Sequence, residues 1–369
     1  MGGFKMVRIL QSVNIMDRAG LETVLMNYYR NMDRSLIQFD FLTHRKENGA
    51  YDSEIESMGG KIYHAPRLYP QNYVEYFKYM RKFFDEHSEY KVIHSHIDAM
   101  SFFPLLAAQK SGVPLRIGHS HNTEINKDFK YLIKFFALKQ MPKVANEYFA
   151  CGDLAGKFMF PEDDFSVLHN AIDLEKYAYN EEIRSNMRQK LCVKEKFVIG
   201  HIGRYNYVKN QSFVIDIFVE ILKTKPESVL LLIGKGEDEQ KLLDKVKSLN
   251  LEEKVFLLKD RDDVDKLYQV MDVFVMPSLF EGLPVVAVES QANGLPCILS
   301  DKVSDESILS SSAKQLSLNA GAKGWAEKIL GLDITRNVNA TKELRDNGYD
   351  IKVEAQKLQD WYIKKYNEC

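Results

Sequence analysis

Two acids eight residues apart, Glu281 and Glu289, stand in the stretch FEGLPVVAVESQANGLP. Their surroundings suggest what they could hold. Pro284 suits the first position of a helix, because its fixed φ and missing N–H cost nothing there, and Gly294 suits a C-terminal cap. The spacing therefore predicts a helix from Pro284 to Asn293. Its amino end would leave the N–H groups of Gly282, Leu283, Val285 and Val286 without intrahelical partners, and with the helix dipole they form a site for an anion such as phosphate. Glu289, five residues further in, would place its carboxylate about 7 Å beyond that site at ~1.5 Å per residue. A carboxylate there is a natural acceptor for a ribose diol. Spacing alone equally allows a plainer reading, with one acid serving the dipole and the other facing solvent.

Histidines form the second group. His94 and His96 close one apolar run, and His119 and His121 close the next. The pair His94/His96 has no third ligand near it in the chain, so zinc is not expected, and the two are read as lining the end of a strand. His119 is expected to face away from His121 if the strand continues.

The elements that must carry these residues alternate. Val7 to Val13 reads as a buried strand, followed by the polar loop Asn14 to Gly20 and a helix from Leu21 to about Asn31. Further strands are expected at Phe39–Leu42, Lys61–His64, Val92–His96, Pro114–Ser120 and Tyr148–Cys151, the last of these closing a first domain. A second series opens at Phe197 and ends its first strand at Gly203, then continues at Val229–Gly236, Val255–Leu258 and Val273–Met276. Gly234 and Gly236 would let the backbone approach a ligand. A helix near Val264 to Val270 would take Asp262 or Asp263 as its N-cap, and Tyr349 to Tyr366 is again helical in period. Such alternation argues for βα units, parallel sheets and ligands at the carboxyl ends of strands.

Composition narrows the class. With 369 residues the chain has room for two domains, and 45% hydrophobic with 28% charged residues describes a globular protein. A net charge of −2 gives no bulk attraction to nucleic acid. Cys151, Cys192, Cys297 and Cys369 lack zinc or C-x-x-C spacing and read as free thiols in a reducing compartment. No apolar run approaches the ~18 residues of a membrane span, and the start MGGFKM is neither a signal peptide nor a myristoylation match. Two segments interleave lysines with aromatics, 73–84 and 127–143. In the second, Lys127, Lys130 and Lys134 would share a helical face. Either segment could lie on anionic lipid or be an ordinary helix with a lysine-bearing side.

The stretch around Glu281 and Glu289 resembles the E-x7-E signature of retaining GT-B glycosyltransferases, family four, particularly those of bacterial exopolysaccharide, capsule and glycolipid synthesis. The resemblance extends over most of the chain. It implies an α/β protein of two Rossmann-like doubly wound domains facing across a cleft. The acceptor domain would span 1–172 with a crossover helix at 350–369, and the nucleotide-sugar domain 173–349. The family's Gly-Gly-x-Glu loop stands here as Ala19-Gly20-Leu21-Glu22, which leaves Gly20 near the donor diphosphate. Its Ile-Pro-Asn-Gly-Val-Asp segment stands as Leu168-His169-Asn170-Ala171-Ile172-Asp173. By the same resemblance Gly203, Arg204 and Lys209 meet the diphosphate, Arg261 the base, and His121 the sugar near its reacting carbon. Glu281 would hold sugar hydroxyls and Glu289 the ribose. The Asp-x-Asp triplet Asp260-Arg261-Asp262 is not expected to hold a metal.

The implied activity is retaining, metal-independent transfer of a hexose or N-acetylhexosamine from a nucleotide sugar, with a UDP-sugar expected, to a lipid-linked saccharide or other glycan. No cofactor and no nucleic-acid partner are expected. The expected location is the cytoplasm, with contact to the inner membrane leaflet through 73–84 and 127–143. Rival readings are a UDP-sugar epimerase or hydrolase on the same fold, and a non-catalytic nucleotide-sugar-binding protein.

Overall fold

The computed structural model describes residues 6–125, 129–161, 164–259 and 261–369. The chain divides into two compact units, one of residues 1–171 with 351–369 and one of residues 172–350.

The first unit holds a seven-stranded sheet. Its strands are β1 (Val7–Val13), β2 (Ile37–Thr43), β3 (Ile62–His64), β4 (Val92–Ser95), β5 (Leu115–Ser120), β6 (Glu147–Ala150) and β7 (Ser166–Val167). They are parallel, in the order β3-β2-β1-β4-β5-β6-β7. The expected β1 matches the observed one in both bounds. The expectation that Tyr148–Cys151 is the last strand is corrected, because the short β7 follows it. β7 is two residues long, too short to carry any periodicity of its own.

The second unit holds six parallel strands, β8 (Val198–Ile202), β9 (Val229–Ile233), β10 (Val255–Leu258), β11 (Val273–Met276), β12 (Cys297–Ser300) and β13 (Ala313–Leu316), in the order β10-β9-β8-β11-β12-β13. Strand β9 shows why such a sheet is apolar throughout. Val229, Leu231 and Ile233 enter one core and Leu230 and Leu232 the other, so both faces are covered.

Each sheet reverses its strand order once, between β1 and β4 and between β8 and β11. In open parallel sheets the loops diverge at such a point and leave a crevice at the carboxyl ends of the strands. Some of the residues singled out above stand at these two points: Gly20, His94 and His96 follow or end β1 and β4, and Lys209 and Glu281 follow β8 and β11.

Candidate functional site

In the second unit the helix Val285–Ala292 begins one residue later than expected. Pro284 is its N-cap, in an extended conformation, and no side chain caps the tip. Proline at the first helical position is thus corrected to proline at the cap. Asn293 is the C-cap, and Gly294 follows at φ +65°, where a Cβ would meet the Asn337 carbonyl.

Backbone bonds fix the loop before this tip. Leu279 N–H donates to the Val208 carbonyl (2.8 Å), Glu281 N–H to that of Lys302 (3.2 Å) and Ser304 N–H to that of Glu281 (3.0 Å). The Ser307 hydroxyl donates to the Gly282 carbonyl (3.0 Å). Leu283 is buried beside the tip. The β8 loop is held to the same place by Asn210, which adopts φ +57° and donates from its amide to the Pro277 carbonyl (3.1 Å).

This framework brings two of the candidate residues together. Lys209 Nζ lies 2.6 Å from Glu281 Oε1, and both side chains are 17% exposed. Arg204 does not join them. Its guanidinium is 70% exposed and pairs with Glu237 at 3.1 Å. Gly203 leaves room for the Lys209 stem, which a Cβ would approach at 3.3 Å. Gly234 and Gly236, read as places of ligand approach, each lie against backbone of the β8 loop. A Cβ on Gly234 would lie 2.1 Å from the Gly203 carbonyl oxygen, and one on Gly236 2.2 Å from that of Tyr205. These glycines let two loops of the same chain pass each other.

Glu289 departs from the plainer of its two sequence readings, since it is only 6% exposed and does not face solvent. The Tyr177 hydroxyl donates to its Oε1 (2.8 Å) and the Tyr268 hydroxyl to its Oε2 (2.9 Å). Burial pushes the carboxyl up to about 7, against the pull of these two hydrogen bonds. Arg261 is engaged too, in a two-pronged pair with Asp263 (2.7 Å each). Asp263 therefore sits at the N-cap position of the helix Val264–Val270 without capping it through its side chain. Asp260 of the Asp-x-Asp triplet lies outside the described residues.

In the first unit Gly20 opens the helix Gly20–Asn31 and is exposed, with extended Ala19 before it. Glu22, in the first turn, is buried, and burial raises its carboxyl to about 7.

The histidines form one cluster. His94 Nε2 lies 3.1 Å from His119 Nδ1, and His96 Nδ1 lies 3.1 Å from His121 Nε2. The rings of His119 and His121 stack at 4.0 Å, so the expectation that they face opposite ways is corrected: residues two apart on a strand share a face. The statement that His94 and His96 lack a third ligand is corrected as well, because β5 runs beside β4 and supplies His119. Two H-x-H motifs ending neighbouring strands were the signal for this cluster. Burial lowers all four imidazoles, His121 to about 3. Asp98, at φ +47°, accepts from the His121 backbone N–H (2.8 Å) and the Asn122 amide (2.6 Å).

The two basic-aromatic segments part ways. The helix Tyr73–Glu86 buries Tyr76, Met80, Phe83 and Phe84 in the core, so its apolar side is not available to lipid. The helix Tyr131–Gln140 buries only Ala137; Leu132 on it and Phe129 just before it are 78% and 79% exposed. Lys127 lies outside the described residues. Lys130 turns inward to the Leu68 carbonyl (2.9 Å) and the Tyr69 ring rather than sharing a face with Lys134. No helix among the described residues is long and apolar enough to cross a membrane.

Comparison with known proteins agrees with this geometry. The profile described as Glycosyltransferase Family 4 matches residues 18–176, and that described as Glycosyl transferases group 1 matches 182–347. EpsF of Bacillus subtilis (strain 168), itself only assigned as a glycosyltransferase, is 35% identical over 87% of this chain and 86% of its own length. The UDP-Gal:alpha-D-GlcNAc-diphosphoundecaprenol alpha-1,3-galactosyltransferase of Escherichia coli is 26% identical over 74% of this chain and 76% of its own. The structure of Anabaena Alr3699/HepE in complex with UDP-glucose superposes with a TM-score of 0.80 at 18% identity, covering 96% of this chain and 99% of that one. Two doubly wound units, each with its candidate residues at the break in strand order, and these relatives lead to one assignment: the chain belongs to the family-four glycosyltransferases and has the GT-B fold.

Proposed function

We propose that this chain transfers a hexose or N-acetylhexosamine, with retention and without a catalytic metal, from a UDP-sugar to a lipid-linked saccharide in the synthesis of a surface polysaccharide. The observation that carries the reading is the Lys209–Glu281 pair, fixed beside the uncapped tip of the helix Val285–Ala292. The likeness to the Escherichia coli enzyme, whose name specifies UDP-Gal and a diphosphoundecaprenol acceptor, supports the donor and acceptor classes.

In this reading the helix tip, with the backbone of Gly282 and Leu283, faces the donor diphosphate, and Lys209 exchanges Glu281 for a phosphate oxygen. Arg204, held only by an exposed pair, is free to swing to the same anion. The bond from the sugar's anomeric carbon to the phosphate oxygen breaks as the acceptor oxygen attacks the same face, and the acceptor's proton passes to the departing phosphate. Fixed cations and N–H dipoles stabilise the charge that develops on that leaving group. Glu281, released from Lys209, takes sugar hydroxyls. Glu289 has about four lone-pair positions, two of them used by tyrosines, and offers the others to the ribose. The exposed Phe129, Leu132 and Phe136, with Lys134, give a surface suited to the membrane where such an acceptor resides.

The test is nucleoside-diphosphate release from a panel of UDP-, GDP- and ADP-sugars with EDTA present, with and without a membrane extract. Release from one UDP-sugar that rises with extract is expected. Release indifferent to extract would point to hydrolysis, and tight UDP binding without release to a sensor.

A further inference from the structure

The four histidines carry more than the transferase reading uses. One ring nitrogen from each of His94, His96 and His119 lies within 4.8 Å of the others, and all three residues are buried. Two imidazole pairs, His94–His119 and His96–His121, already have facing nitrogens 3.1 Å apart. A tetrahedral ion with metal–nitrogen bonds of about 2.0–2.1 Å sets its ligand nitrogens ~3.3 Å apart. The pairs are therefore at chelate spacing.

The hydrogen bonds around the cluster give an independent argument. His96 Nε2 faces Gln11 Oε1 at 2.8 Å. An amide oxygen only accepts, so Nε2 carries the proton and Nδ1 turns a lone pair toward His121. His94 Nδ1 meets the Tyr362 hydroxyl at 2.5 Å, which leaves Nε2 on the side of His119. His119 Nε2 is buried and has no hydrogen-bond partner. An orphaned buried ring nitrogen is unfavourable, and no choice of tautomers along this chain removes it. Two of the three imidazoles thus have one nitrogen fixed by an outer partner and the other turned inward, as metal-bound histidines do.

We infer that His94, His96 and His119 form a site for one divalent transition cation of the zinc class, with His121 beside the fourth position. All-imidazole ligation suits zinc, cobalt, nickel or copper and not magnesium or calcium. The ion ties the ends of β4 and β5 together, and through Gln11 and Tyr362 it engages β1 and the C-terminal helix Ile351–Asn367. Its three ligands lie in the first unit and have no part in holding the donor diphosphate; only His121, beside the fourth position, is common to both readings, and metal binding is measured without turnover, so failure of the site and failure of the transferase reading are told apart.

The test uses full-length protein carrying Cys192→Ser and Cys369→Ser, which removes the two exposed thiols, after dialysis against a chelator and then buffer. Titration with Co²⁺ should give a visible absorption band saturating at one ion per chain, displaced by Zn²⁺, and His119→Asn should weaken binding at least about tenfold. An unchanged band in folded His119→Asn, or no band up to millimolar Co²⁺, overturns the site. Should that variant fail to fold, crystals of the parent protein soaked in Zn²⁺ decide: an anomalous peak among the four histidines upholds the site, and peaks only elsewhere, or none, reject it.

Discussion

The two sheets break their strand order in the same manner and dress the break in opposite ways. At the β1/β4 break the space is filled by side chains of the protein itself, neutral imidazoles that hydrogen-bond to one another, to Gln11 and to Tyr362. At the β8/β11 break the loops carry charges in replaceable pairs, Lys209 with Glu281 and Arg204 with Glu237, near a helix tip that no side chain caps. A buried neutral network is costly to disturb. The exposed Arg204–Glu237 pair is cheap to exchange, whereas Lys209 and Glu281, 17% exposed each, keep two opposite charges half-buried beside the tip. In the proposed function the second break is the one that accepts an anion, while the first is a preformed wall of buried side chains.

The largest effect should come from breaking the charged side. Lys209→Ala should lower the rate of UDP release about 10²–10³-fold, as for loss of one donor to a developing oxyanion. Arg204→Ala should cost about tenfold, because its guanidinium is well exposed and more easily replaced by water. Rates within about threefold of the parent for both would remove the diphosphate from this loop.

Next comes Glu289, the one point of the second break that resembles the first. Its carboxyl is raised from 4.5 to about 7 by burial. The folded state therefore binds a proton that the unfolded state has released between those values. Stability is full below pH 4.5 and falls as pH rises through 7. Glu289→Gln should flatten this decline and be more stable than the parent at pH 8 by up to about 3 kcal/mol, while raising the donor KM. Parallel stability profiles for parent and variant across pH 5–8 would contradict the buried, raised carboxyl.

A smaller loss tests the wall. Tyr362→Phe should cost about 1–2 kcal/mol in denaturant unfolding, since His94 loses its outer partner, and UDP affinity should not change. Smallest in stability is Leu132→Glu on the exposed helix, within about 0.5 kcal/mol. That variant should nonetheless lose binding to anionic vesicles, and retained binding would exclude this surface as the membrane contact.

Where the sequence was legible, a local rule was enough. Apolar runs bounded by polar turns gave β1, β10 and β11 to the residue, and the E-G-L-P turn with Gly294 gave the helix that follows it to within a residue at each end. β13 and the helices Gly321–Leu330 and Ala340–Asp346 were not foreseen, because their apolar positions are few and their packing decides them. At the site, the loop positions of Glu281, Arg204 and Lys209 could be read, but not their partners. Glu289 meets Tyr177 from 112 residues away, and nothing in either neighbourhood announces it. The histidine cluster was within reach, since matching H-x-H motifs at the ends of two successive strands become neighbours once the sheet is parallel.

The helix Ile351–Asn367 belongs with the first unit, where Tyr362 is fully buried against Phe39 and His94. During synthesis, residues 172–350 emerge as one uninterrupted stretch and can complete their fold as soon as they leave the ribosome. The unit that began first must wait. Its sheet stays without a full cover, with Phe39 and the histidines exposed to water, until residues 351–367 follow. The earlier-made half is therefore the later to mature, and a nascent chain stalled before Tyr362 would be a target for chaperones and proteases.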